Sequence, residues 1–138
     1  MFVYRKTVRL YHTDAAGILY YSHIYTMAHD VYEEMLQKIG VSVPYILNQS
    51  DFLLPFVHSE ADYKNTITVG DELDIHLKVE RIGNTAYTLC YHFLNTKGEE
   101  VAFVKTVSVA VDKRTKQKIP LPEKLREGLQ KVANGEIE

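Results

Sequence analysis

Chemistry in this chain has one natural starting point, the segment from Tyr11 to Tyr21, YHTDAAGILYY. Asp14 stands in a loop of small residues seven positions before Tyr21, where an amphipathic helix is predicted to begin. The first amides of a helix lack intrahelical acceptors and lie at the positive end of its dipole. A carbonyl docked there would meet donors where negative charge develops, and a carboxylate on a loop folding back to the same point could serve as base or nucleophile. Asp14 is thus the expected catalytic carboxylate and the Tyr21 backbone N–H the expected carbonyl polariser. Gly17 is expected to let the loop turn and to leave room for a substrate. A solvated loop aspartate, with a glycine that serves only the loop, is the plain alternative.

His23 falls on the polar side of the first helical turn. It could orient a substrate group or a water, or be a partly exposed helix histidine; His12, beside the loop, offers a weaker version of the same choice. Other chemistries find no support. Six histidines occur without an HExxH or HxxEH pattern and with a single cysteine, so no metal is expected. No GxSxG elbow, Walker loop or dinucleotide fingerprint is present, and no cofactor is implied. Cys90 lies on a strand-like segment without a motif around it and reads as a small buried hydrophobe.

The elements that must position these residues follow from periodicity. Phe2 to Tyr11 alternates as a strand. From Tyr21 to Ile39, Ile24, Tyr25, Met27, Ala28, Val31, Tyr32, Met35, Leu36 and Ile39 fall within about half of a helical circumference, with Ser22 as N-cap and Gly40 as stop. An arc this broad asks to be wrapped by a sheet. Val43 to Gln49 reads as a short second helix. Beyond residue 52 the period becomes two. Phe52 to Tyr63 is a strand with an edge position or bulge near Pro55. Leu73 to Val79 and Tyr87 to Phe93 flank a Gly83-Asn84 hairpin. Val101, Phe103, Val107, Val109 and Val111 form a further apolar face that Lys105 interrupts. Glu123 to Val132 closes the chain as a helix. The expected fold is α+β, an antiparallel sheet of about five strands around one long helix, in a single domain spanning residues 1–138.

Composition agrees with a folded domain, 46% hydrophobic and 25% charged over 138 residues. The net charge of −2 implies no general attraction to nucleic acid or to an anionic membrane. The N-terminus lacks an apolar leader-like run, no stretch is long enough for a membrane span, and one cysteine fits a reducing compartment. A cytoplasmic protein is the expectation.

The stretch Asp14, Ala15-Ala16, Gly17, Ile18-Leu19-Tyr20, Tyr21, Ser22-His23 and Tyr25 resembles the signature of the 4-hydroxybenzoyl-CoA thioesterase family of hotdog-fold proteins. Tyr63 followed by Gly70-Asp71-Glu72-Leu73, and Leu121-Pro122 after the last strand, extend the likeness over almost the whole chain. Within the family the YbgC-like acyl-CoA thioesterases and the 1,4-dihydroxy-2-naphthoyl-CoA thioesterases are most similar. The resemblance implies hydrolysis of an acyl-CoA thioester with Asp14, the Tyr21 N–H and His23 at the carbonyl. It also implies a homodimer with sheets joined edge to edge, paired into a tetramer, with each site at a subunit interface. Tyr20, Tyr21 and Tyr25 could then line an acyl pocket, although tyrosines are also ordinary core and interface material. His58 and Glu60 alternate on one strand near the expected pocket, with Glu60 a rival base. The CoA phosphates would call for cations, for which Arg81, Lys105, Lys113 and Arg114 are the candidates. A carrier-protein thioesterase and a non-catalytic acyl-binding dimer are the alternatives.

Overall fold

The computed structural model describes residues 2–137. Along the chain lie β1 (Phe2–Thr7), a 3-10 turn (Leu10–His12), α1 (His23–Lys38), α2 (Val43–Asn48), β2 (Phe52–Leu53), β3 (Phe56–Tyr63), β4 (Glu72–Ile82), β5 (Ala86–Leu94), β6 (Glu100–Val109), β7 (Val111–Asp112) and α3 (Glu123–Ala133). Five strands make one antiparallel sheet in the order β1-β4-β5-β6-β3, and β2 pairs with β7 apart from it. The expected α+β arrangement, a long helix against a five-stranded antiparallel sheet, is what the sequence builds.

The apolar arc of α1 is buried as its periodicity predicts: Ile24, Met27, Val31 and Met35 are fully enclosed. Gly40 ends the helix at φ +82°, where its N–H bonds Gln37 O (3.1 Å) and the Val41 N–H bonds Leu36 O (2.9 Å). This is the Schellman pattern, with buried Val41 and Leu36 as its apolar contact. The other end departs from expectation. The helix starts at His23, two residues late, and Ser22, though in the cap position, has helical dihedrals and its side chain accepts no cap bond. The preceding turn closes through His23 N–H to Tyr20 O instead (2.9 Å). The first strand also stops early, at Thr7, leaving Leu10 and Tyr11 largely exposed.

On β5, Tyr87, Leu89, Tyr91 and Phe93 all point to the helix, and the Tyr87 hydroxyl bonds that of Tyr32 on α1. Burial pushes the Tyr32 phenol up to about 12. β6 corrects the sequence reading. Its helix-facing residues are Ala102, Val104, Thr106 and Ser108, while Phe103, Lys105 and Val107 face the other way. The register explains the inversion, since these small residues stand opposite Phe93, Tyr91, Leu89 and Tyr87. Large side chains on one strand leave space only for small ones on the next. The Tyr91 hydroxyl lies near Thr106, and those of Tyr32 and Tyr87 near Ser108, yet the Thr106 and Ser108 hydroxyls form no hydrogen bond.

The edge strand β3 carries the bulge expected near Pro55. Phe56 pairs with Ser108 and His58 with Val107, so Val57 is the extra residue. The bulge reverses side-chain parity, placing Phe56, Ser59, Ala61 and Tyr63 on the helix side.

Candidate active site

Residues 13–19 form a small hairpin bridged at Thr13 and Leu19. Its turn is built by Asp14. The Asp14 N–H bonds Ile18 O (2.8 Å), its carbonyl accepts from Gly17 N (3.0 Å), and its Oδ1 accepts from Ala16 N (2.8 Å) and Ile18 N (3.2 Å). Gly17 sits at φ +74°, a conformation that disfavours any side chain. The hairpin is docked on the segment after β3 by Leu19 N–H to Ile67 O (2.8 Å) and Val69 N–H to Gly17 O (2.9 Å). Asp14 is thus a turn former with one oxygen to spare. One oxygen organises the turn, and the second, on an exposed side chain, has no intrachain partner among the described residues.

At the start of α1, neither the Tyr21 nor the Ser22 N–H has an intrachain acceptor among the described residues. Their directions are nonetheless fixed. Tyr20 O accepts from His23 N, and because a trans peptide sets N–H opposite C=O, the Tyr21 N–H points away from the helix. Tyr21 O accepts from the Tyr63 hydroxyl across the gap to β3. Burial raises the Tyr63 phenol above its ordinary range, with Tyr25 and Tyr21 adding to the effect. Between these parts lies an open cleft of 510 Å³ lined by Ile18, Leu19, Tyr21, Tyr63, Asn65 and Ile67, among others. Asp14 and Gly17 belong to the loop that supplies Ile18 and Leu19 but are not themselves in its lining.

His23 is half-buried, 5.8 Å from the His12 ring and 3.4 Å from Thr26 Oγ1 through Nδ1. His12 is almost fully enclosed. Its Nδ1 accepts from Arg9 N (2.8 Å), its carbonyl accepts from Tyr20 N (2.9 Å), and it therefore ties both ends of the hairpin. Burial holds its pKa below the ordinary histidine value, and His23 and Lys6 push the same way. A depressed folded-state pKa means that the stability tied to neutral His12 is present above the unfolded value and is lost as pH falls through the folded one. Wild type is expected to lose more thermal stability between about pH 7.5 and about pH 5 than His12→Asn, whose Oδ1 replaces Nδ1 without titrating. Equal losses measured by calorimetry would refute this.

Tyr25 reaches a second cavity, of 210 Å³, between α1 and the sheet. Tyr20 is half exposed and lies against Tyr21 with ring centroids 4.9 Å apart. The remaining sequence-derived residues are placed elsewhere in the chain. His58 and Glu60 bond each other (2.9 Å) on the sheet face away from α1, because Ser59 and Ala61, not they, stand opposite the inward-facing Thr106 and Val104 of β6. Lys105, opposite Glu60, lies on that face too and pairs with Glu80 (3.3 Å), which accounts for a cation on an apolar strand. Lys113 donates to the carbonyls of Ile46 (2.7 Å), Leu47 (3.2 Å) and Ser50 (2.8 Å), capping the end of α2. Arg81 and Arg114 are exposed. Among the described residues no three His, Cys, Asp or Glu side chains converge as a metal site would need. Sequence reasoning assigned no role to the Tyr63 hydroxyl; only its place in the Tyr63…Gly70-Asp71 motif marked it. Phe56 was missed, although Pro55 signalled the bulge that aims it.

The profile of the thioesterase-like superfamily matches residues 8–129. The chain belongs to that superfamily. This thioesterase is 30% identical over 132 residues to a 1,4-dihydroxy-2-naphthoyl-CoA hydrolase of Synechococcus elongatus, covering 95% of this chain and 96% of the relative. It is 32% identical over 126 residues to a protein of the same name from Picosynechococcus, covering 88% and 86%. Its fold superposes on the crystal structure of a 1,4-dihydroxy-2-naphthoyl-CoA thioesterase from Synechocystis with a TM-score of 0.89, at 26% identity and covering 95% and 96% of the two chains. The hotdog architecture of the thioesterase is thereby established, and its activity is hydrolysis of acyl-CoA thioesters.

Proposed function

We propose that this thioesterase hydrolyses a compact, aryl-type acyl-CoA through Asp14 and the Tyr21 backbone N–H. The observation that carries the proposal is that the loop and the helix start each leave one polar group without an intrachain partner among the described residues. A carboxylate oxygen is left free by a turn that fixes its partner oxygen, and an amide N–H is left free at the electropositive start of α1. The thioester carbonyl accepts from Tyr21 N–H, and Asp14 Oδ2 either deprotonates the attacking water or attacks the carbonyl itself. Collapse of the tetrahedral intermediate expels CoA thiolate in both routes; the first gives the free acid at once, whereas the second leaves an Asp14–acyl anhydride that a water must hydrolyse to release the acid. A single turnover in isotopically labelled water separates them where that water opens the anhydride at the aspartyl carbon, because only the second route can leave label in the Asp14 side chain.

The names of the curated relatives, together with the Tyr25-lined cavity, favour 1,4-dihydroxy-2-naphthoyl-CoA or a related aromatic thioester as substrate. Kinetics on naphthoyl, benzoyl and straight-chain CoA esters test this, with the highest kcat/KM expected on an aromatic ester. Hydrolysis of carrier-protein esters alone would move the assignment to that class. The unpaired edge of β3, eight residues long and largely exposed, supports a homodimer continued through this strand, with tetramers formed by dimer pairs. A cytoplasmic site of action fits the single buried Cys90, whose thiol burial pushes up to about 11.

Since Tyr21 acts through its backbone, Tyr21→Phe is expected to keep kcat within about threefold. Tyr63→Phe releases the Tyr21 carbonyl, loosening the Tyr21–Ser22 peptide that adjoins the Tyr21 N–H, and is expected to lower kcat about tenfold with KM little changed. The reverse order of effects would remove the backbone assignment. Tyr63 is a positioning residue in this account, so its loss leaves the pH profile of kcat unmoved.

A further inference from the structure

We infer that Phe56 is the gate that limits acyl length in this enzyme, separating a small chamber beside the reacting carbonyl from a larger apolar one beyond it. The inference rests on the thioesterase reading above and adds to it a specificity-determining residue. Helix α1 and strand β3 run alongside each other from the cleft onward. At one end the Tyr63 hydroxyl holds Tyr21 O. At the other, the Phe56 ring packs edge-on against Tyr32 (5.4 Å between centroids) and His29 (5.7 Å). An acyl group held at Tyr21 N–H and lying along α1 passes Tyr25 and enters the 210 Å³ cavity floored by Ala28, Tyr91 and Thr106. From His23 to His29 the helix rises roughly 9 Å.

That cavity ends at His29 and Phe56. The same two residues begin a second space of 510 Å³, lined mainly by apolar side chains such as Leu36, Val43, Ile46 and Leu54. The partition is thus two rings thick, and one of them is set by backbone design. Only the bulge at Val57 turns Phe56 inward; a regular strand would direct Val57 there and leave a wider opening. Phe56 is also 42% exposed, so truncating it removes the partition without emptying the core. The small chamber suits a ring system or a short chain, whereas a long alkyl tail must cross the gate to find further apolar surface.

The test is a kcat/KM ladder over benzoyl, hexanoyl, dodecanoyl and palmitoyl CoA esters for wild type, Phe56→Ala and His29→Ala. Wild type is expected to fall by about tenfold or more from hexanoyl to palmitoyl. Phe56→Ala should raise the kcat/KM of dodecanoyl and palmitoyl relative to benzoyl by at least about tenfold, chiefly through KM on the long esters. His29→Ala opens the same wall from the helix side and should shift the ladder the same way, which keeps the test decisive if one variant folds poorly. Folded, active variants with the wild-type ladder would overturn the gate while leaving the hydrolase reading intact, as would a wild type that already prefers palmitoyl. Absence of wild-type turnover on every ester would overturn both.

Discussion

Asp14→Asn is expected to reduce kcat on the best CoA ester by about 10²–10⁴-fold, the range lost with a positioned base or nucleophile, with KM little altered. Asparagine is the informative replacement because of the double duty of this side chain. Its Oδ1 can keep the bonds from Ala16 N and Ile18 N, so the hairpin and its docking on Ile67 and Val69 survive while the charge disappears. Asp14→Ala would remove both functions together. If Asp14→Asn retains turnover near wild type, the aspartate is a turn former only, and the base must be sought elsewhere. Glu60 would not be its replacement within one chain, because it faces away from α1 and is held by His58.

The largest effect on stability is expected from Gly128→Leu. Gly128 is buried in α3, and a Cβ built there lies 2.5 Å from Ile39 Cβ and 3.0 Å from its Cγ1. The obstacle is the branch point next to the α1 cap, not the free end of a flexible side chain, so the helix must move to relieve it. Overpacking of this kind costs about 3 kcal/mol, against which the better helix propensity of leucine over glycine returns somewhat under 1 kcal/mol. The melting temperature should fall by roughly 10 °C in a chain of this size. Ile39→Gly in the same molecule removes the Cβ and the branches beyond it, and the double variant should recover much of the loss that the two single changes predict, a coupling that independent sites would not show. Additive losses from the two changes would place the cost elsewhere in α3.

The parts of the fold legible in the sequence are those in which one periodicity decides the outcome. The α1 arc from Ile24 to Leu36 is buried as read, and Leu73, Ile75 and Leu77 on β4 are buried in alternation. The reading of β6 failed at its centre because Phe103 and Val107 lie on the outer face, while the core positions beside Val104 hold Ala, Thr and Ser that only their large neighbours on β5 explain. The start of α1 lies at His23, directly behind the Ser22 expected as its N-cap and two residues after Tyr21, and the chain closes that turn through backbone groups rather than the Ser22 side chain.

At the site, sequence spacing located the loop and the helix start, because both are local. It could not locate the cations. The sequence offers Lys113 as a cation for the CoA phosphates, yet its three donors meet carbonyls 63 to 67 residues earlier in the chain. Lys105, offered for the same phosphates, has Glu80 beside it. His58 and Glu60 required the parity of β3, which its register with β6 sets. Long-range pairing decides all of these, and composition carries no trace of it.

The central claim is that one thioester carbonyl meets the Tyr21 N–H while Asp14 faces its carbon. A crystal structure of Asp14→Asn with an aryl-CoA analogue, its thioester sulfur replaced by methylene, tests it directly. The account predicts the analogue carbonyl oxygen about 2.9 Å from Tyr21 N, with the residue-14 side chain on the open face of that carbon. A carbonyl seated elsewhere, with the Tyr21 N–H bonded to a group of the protein or its partner, would contradict it.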